Sequence, residues 1–134
     1  MRVPFFVALL TAADQLTKYW AVTRLKPVGS VAVVPGFFSL TYVENQGAAW
    51  GMLAGRHLFL IGFSLLTLAF LFWRRRQLFD PLWGGRLTLT LLMGGILGNL
   101  IDRIRLNYVV DFLDFFWGRH HFPAFNVADS AICC

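Results

Sequence analysis

HLFLIGFSLLTLAFLFW, residues 57–73, carries no formal charge and runs straight into Arg74, Arg75 and Arg76. A helix that crosses a hydrocarbon core needs about 20 apolar residues, with a lower limit near 17. Residues 57–73 meet that limit, and a cluster of arginines at one end marks the cytoplasmic side. Three further apolar segments flank this one. The first runs from about Val3 to Val22 and is interrupted by Asp14 and Lys18. The next runs from Leu87 to Ile101 and reaches spanning length only if Arg86 and Asp102 lie at the interfaces. The last begins near Phe122. Counted from there it is a stub of about 13 residues, too short to cross about 30 Å as a helix. Arg2 followed by apolar Val3 to Ala13 has the outline of a signal peptide. Asp14 and Lys18 follow at once and no A-x-A cleavage pattern appears, so the segment reads as a retained first helix.

Composition agrees. Of 134 residues, 57% are hydrophobic and only 14% charged, with a mean hydropathy of +0.62. A soluble domain would carry roughly a quarter charged residues. The chain therefore reads as one integral membrane domain. The net charge is +5. The basic residues fall at the ends of apolar stretches, which makes them topology signals and headgroup contacts rather than a nucleic-acid surface. Cys133 and Cys134 are the only cysteines, and adjacent cysteines at a chain end imply neither a disulfide framework nor a zinc site.

The loop 74–86 is the most basic stretch, so it is predicted to be cytoplasmic, together with Arg2. Residues 23–56 and 102–121 then face the outer side. Ser30 to Val34 and Phe37 to Val43 are β-prone and separated by Pro35-Gly36, which predicts a small antiparallel sheet at the outer membrane boundary. Val109 to Trp117, rich in Phe and Trp, suits an interfacial stretch resting on headgroups. The predicted fold is an all-α membrane bundle of four transmembrane helices, at about 3–22, 57–73, 87–101 and from about 122, with a small outer β-sheet and an interfacial arm.

Charged groups in such a chain are costly and mark function. Asp111 and Asp129 stand out. If the fourth helix starts near Phe122, Asp129 sits about two turns along it, roughly 10 Å down the axis. Were Asp111 to fold back beside it, the two carboxylates could not both stay ionised. One would keep a proton and the other would activate a water, which suits peptide hydrolysis. Separate interfacial carboxylates fit the residues equally well. Asp102-Arg103 reads as an ordinary ion pair at a helix end, the alternative being that Arg103 hydrogen-bonds a peptide carbonyl in a cleft. Asn45 to Gly51 reads as a loop leading into the second helix. Gly94 and Gly98 have G-x-x-x-G spacing and predict close helix packing, with Asn99 turned inward. Asp14 and Lys18 are four apart and read as structural neutralisation within the first helix. His120-His121 point to different faces and lack a third ligand, so no metal is predicted. No serine-hydrolase set and no phosphate-binding loop appears.

Five blocks in order resemble the bacterial lipoprotein signal peptidases, or signal peptidase II: residues 14–18, 45–51, 94–103, 109–112 and 122–130. Each block is weak alone, but the set covers nearly the whole chain. The resemblance implies an aspartyl endopeptidase of the bacterial inner membrane. Such an enzyme removes the signal peptide of a prolipoprotein just before a diacylglyceryl-modified cysteine. It implies that Asp111 and Asp129 are the catalytic pair. It also implies that Asn45, Gly47, Asn99, Arg103, Asn126 and Ala128 line the substrate cleft. Asp102 matches a cleft position too and is grouped with Asp14 and Lys18 as supporting structure. A periplasmic β-cradle and arm, no cofactor, and inhibition by the cyclic peptide globomycin come with the resemblance. Lipids and the lipidated substrate are the expected partners, with the chain acting as a monomer. Family members continue the fourth helix beyond the Asn126 to Ser130 block, so the chain reads as shortened at its C-terminus. This keeps open a non-catalytic homologue that binds signal peptides. A small ion-coupled transporter component, with Asp14, Asp111 and Asp129 as relay groups, is a further alternative.

Overall fold

In the computed structural model, which describes residues 2–79 and 83–134, the apolar segments become helices and the breaks between them build one sheet. Helix α1 spans Val3–Trp20 and continues through a π-helical turn at Ala21–Leu25. Strands β1 (Ser30–Val34) and β2 (Phe38–Asn45) follow, then a 3-10 turn at Ala49–Gly51, α2 (His57–Leu78) and α3 (Trp83–Leu106). The chain closes with β3 (Val109–Trp117), β4 (His120–His121) and α4 (Val127–Cys133).

The helices are polar inside and apolar outside. Helix α1 buries Thr11, Asp14 and Lys18 and turns Phe5, Leu9, Leu16 and Tyr19 outward. Leu66 and Trp73 of α2 are 73% and 74% exposed. A helix in water hides its apolar stripe against the core. Here the stripe faces out, which is favourable only in a hydrocarbon environment. Among the described residues two helices, His57–Leu78 and Gly84–Leu106, are long and apolar enough to cross a membrane.

Helix α3 is the hub, packed against α1, α2 and α4. Its glycines permit this. A Cβ on Gly94 would lie 2.7 Å from Leu10 Cδ2, and one on Gly98 would lie 2.5 Å from Asp14 Oδ2. A Cβ on Gly95 would lie 2.5 Å from the Ala128 carbonyl. The G-x-x-x-G pair thus seats α1, and Gly95 between them seats α4. The Asp14 carboxylate cannot yield, because it is pinned by Lys18 and by the Ala128 N–H. Gly98→Ala is therefore expected to cost about 1–3 kcal/mol through overpacking. Thermal unfolding in detergent micelles measures this, and an unshifted midpoint would show that the close approach contributes nothing.

The sheet has the order β1-β2-β3-β4. The β1–β2 hairpin turns on Pro35-Gly36, with Gly36 at φ +78° and the Phe37 N–H donating to the Val34 carbonyl at 3.1 Å. Pro before a positive-φ Gly is the pattern of a type II turn. β2 pairs with β3 and carries one extra residue between Leu40 and Val43, opposite Leu113 and Asp111.

Several boundaries differ from the sequence reading. Residues 109–117, read from the sequence as an interfacial stretch, are a strand of the sheet. They form an inner strand whose Val110 and Phe112 join Ala21 and Leu25 in a buried cluster. Its aromatic content reflects packing partners in the sheet. The first helix runs past residue 22, the second past residue 73 and the third from 83 to 106, beyond the predicted 87–101. Arginine and leucine are good helix formers, and cations are favourable at helix C-termini, so a helix need not stop where its apolar run stops. The predicted loop 74–86 shrinks accordingly, and its residues 80–82 lie outside the described residues. The last helix starts at Val127 rather than near Phe122.

Candidate active site

Strand parity places Asp111. Val110 and Phe112 face the buried cluster under α1, so Asp111 projects to the opposite face of β3. It pairs with Val43 in the register. A second contact follows from residues 122–126, which run beside β3. The Leu113 N–H donates to the Phe125 carbonyl at 2.9 Å, and the Phe125 N–H donates back at 3.1 Å. That bridge sets Asn126 next to Asp111.

Asn126 then starts α4. Its side chain accepts from the Asp129 N–H at 2.9 Å, and Asp129 Oδ2 accepts from the Asn126 N–H at 3.2 Å. This is a capping box, and it puts Asp129 in the first turn of the helix, not two turns along it. The Asn-x-x-Asp spacing at 126–129 is the sequence signal that marks this start, and the reading from Phe122 passed over it. Asn126 also binds the other carboxylate, with Nδ2 donating to Asp111 Oδ1 at 2.7 Å. One asparagine therefore touches both acids. Asn45 Nδ2 donates to Asp111 Oδ2 at 3.1 Å, and Asn99 Nδ2 donates to Asp129 Oδ1 at 2.7 Å.

Lys18 lies beneath this pair and is only 3% exposed. Its Nζ meets Asp14 Oδ2 at 2.8 Å, Asn99 Oδ1 at 2.9 Å and Asp102 Oδ2 at 3.1 Å. Each partner holds part of the site. Asp14 Oδ1 accepts from the Ala128 N–H at 2.9 Å, one residue before Asp129. Asp102 Oδ2 accepts from the Val110 N–H at 3.0 Å, one residue before Asp111. Asn99 carries the third contact to Asp129. Gln15, which the sequence reading did not single out, ties Gly98 and Asp102 together with bonds of 3.1 Å each. Asp102 is thus no exposed ion pair with Arg103. It is 2% exposed, and its cation is Lys18. Arg103 does donate to a peptide carbonyl, that of Gly47, at 3.4 Å.

Two cavities meet at the site. One, of about 840 Å³, is walled mainly by apolar side chains of α2, α3 and α4 and includes Asn99, Arg103 and Asp129. The other, of about 650 Å³, includes Gly47 and Asp111. Asn45 lines both. Asn126 and Ala128 line neither; both are 0% exposed, so they hold the cleft from beneath instead of walling it. Ala128 is small because α3 passes close by at Gly95 and Gly98. The apolar wall itself, with Phe59, Phe63, Ile96 and Ile132, was not visible as a site in the sequence, because lipid-facing and cleft-facing apolar residues look alike there. Of the two histidines, His121 Nδ1 bonds Asp114 Oδ1 at 2.9 Å and its ring stacks on Phe116.

Asp111 is 1% exposed. Burial, and after it the charge of Asp129, push its carboxyl up to about 7, against the lowering effect of the Asn45 and Asn126 hydrogen bonds. The charge of Asp129 is therefore felt at Asp111.

A family model described as signal peptidase (SPase) II matches residues 6–134. The chain belongs to the signal peptidase II family. It is 50% identical to the lipoprotein signal peptidase of Syntrophotalea carbinolica, over 98% of this chain and 84% of that protein. The lipoprotein signal peptidase of Shewanella pealeana is 45% identical, over 99% of this chain and 80% of that protein. A bacterial membrane enzyme solved by the in meso method at 2.3 Å superposes with a TM-score of 0.88 at 34% identity, covering 98% of this chain and 80% of the other. A second such structure, at 1.9 Å, gives a TM-score of 0.81 at the same 34% identity, covering 98% of this chain and 84% of the other. As a member of the family, the chain is an aspartic endopeptidase of the signal peptidase II type and a bacterial membrane enzyme. The matches favour neither the transporter reading nor the non-catalytic one.

Proposed function

We propose that this peptidase removes signal peptides from diacylglyceryl-modified prolipoproteins with Asp111 and Asp129 as its catalytic pair. The observation that carries this reading is Asn126, which hydrogen-bonds both carboxylates and holds them at the junction of an apolar cavity and one that carries several acids. The ionised member takes a proton from a water whose oxygen attacks the scissile carbonyl carbon. The protonated member hydrogen-bonds the oxyanion that forms. Collapse of the tetrahedral intermediate breaks the C–N bond, and the proton passes to the leaving amine. The pKa of Asp111, pushed up to about 7, supports a proton being held on the pair at rest. Asn45 and Arg103 sit at the cleft edge, where they can meet substrate carbonyls. Lys18, Asp14 and Asp102 position the two backbones, and Asn126 and Ala128 do the same from beneath.

The apolar cavity suits the signal-peptide helix and acyl chains, which arrive laterally from the bilayer. In the membrane the N-terminus lies on the cytoplasmic side with Arg74 to Arg76, which end α2. The sheet lies on the periplasmic side, α1, α2 and α3 span the bilayer, and α4, seven residues long, enters it as the start of a fourth element. The dyad sits near the outer face because the scissile bond and the attacking water are there. The protein acts as a monomer.

The test is cleavage of a purified lipidated prolipoprotein, followed by gel shift, with and without globomycin. Cleavage that globomycin blocks is expected; intact substrate after prolonged incubation would refute the reading. The pH profile adds a second test. Because the folded protein favours neutral Asp111, the shared proton is retained below about pH 7 and lost above it. Turnover should therefore fall on the alkaline side, by up to about tenfold per pH unit once both carboxylates are ionised. A rate that stays flat to pH 9 would show that no such proton is needed.

A further inference from the structure

The charges of the two cavities differ. The apolar cavity holds Arg103, and among the described residues that line it the only carboxylate is that of Asp129. The second, acidic cavity holds Glu44 and Asp114 as well as Asp111, with no lysine or arginine among the described residues that line it. Lys26 pairs with Glu44 at 2.9 Å but stands outside that lining, and His121 is the one other titratable group facing in. Asp114 is fixed, with Thr41 donating to Oδ2 at 3.2 Å and His121 on Oδ1.

Amide hydrolysis makes two products of opposite charge, a carboxylate on one fragment and an ammonium on the other. Arg103 in one cavity complements the first, and acids in the other complement the second. We infer that the acidic cavity receives the residues on the mature side of the scissile bond, and that Glu44 and Asp114 select against acidic residues directly after the modified cysteine. This rests on the proposed peptidase reading and assigns a direction to the substrate across the site.

The experiment uses three lipidated prolipoproteins that differ only in the first two residues after that cysteine: Lys-Lys, Ser-Ser or Asp-Asp. The expected kcat/KM for Lys-Lys exceeds that for Asp-Asp by roughly fivefold, the scale of one partly exposed ion pair. The ratio should shrink toward one in about 1 M salt, where the screening length is near 3 Å. Glu44→Gln should lower the ratio, and Glu44→Gln with Asp114→Asn should bring it below about twofold. Glu44 is exposed on β2, so the single variant tests the inference even if the double variant folds poorly. Equal rates in the parent enzyme, or a ratio that persists in Glu44→Gln and in high salt, would overturn it. If the parent enzyme cuts none of the three, the peptidase reading itself fails and this inference with it.

Discussion

Asp111→Asn and Asp129→Asn are each expected to reduce cleavage of a lipidated prolipoprotein by about 10³-fold or more, the scale of losing a general base or acid together with its proton. The substitutions are isosteric, so the protein should stay folded. An amide at 111 can still accept from Asn126 and at 129 can still complete most of the capping box. Neither, however, can take a proton from water. Both also remove one of the two carboxylates between which the proposed mechanism shares a proton. Purified variants compared by gel shift, with thermal unfolding as the check on folding, decide the matter. Retention of more than a few per cent of activity by either folded variant would remove that aspartate from the mechanism.

Lys18→Met is expected to have the largest effect on stability. Methionine fills similar volume but leaves Asp14 and Asp102 without their cation, at 0% and 2% exposure. Removing one partner from a buried ion network costs about 3–5 kcal/mol, because the remaining charges stay desolvated. The loss should lie toward the lower end. Asp14 keeps the Ala128 N–H, and Asp102 keeps the Val110 N–H and Gln15. Activity should fall as well, since Asn99 Oδ1 loses one of the two donors, Lys18 and Asn126, that orient its amide toward Asp129. The informative contrast is Lys26→Met. It removes an ion pair in which Lys26 is half exposed, and it should leave unfolding almost unchanged. Equal unfolding midpoints for Lys18→Met and the parent protein in detergent micelles would show that the buried network does not hold the fold.

Much of this was legible without a structure. The uncharged run at 57–73, the basic residues after it and the G-x-x-x-G spacing are local patterns. Lipid favours them for reasons that do not depend on the rest of the chain. Pro35-Gly36 between two β-prone runs marked the first hairpin for the same reason. Residues 109–117 were harder. An aromatic strand and an aromatic interfacial segment have the same composition, and only the pairing with β2 distinguishes them. Asp102 beside Arg103 looked self-sufficient because sequence adjacency suggests pairing. On a helix, neighbouring residues point in different directions, and Asp102 turned inward to Lys18.

The sequence by itself determined that this chain lives in a membrane, where most of its helices lie and which family it joins, because hydropathy and motif spacing are written residue by residue. The tertiary structure alone decided how the site is held. Gln15 reaches Asp102 across 87 positions, and Asp14 caps α4 at Ala128 across 114. The division of the cleft into an apolar and an acidic chamber also appears only once β3, α3 and the residues before α4 are packed together. Contacts of this range depend on how whole elements meet, and no local pattern encodes them.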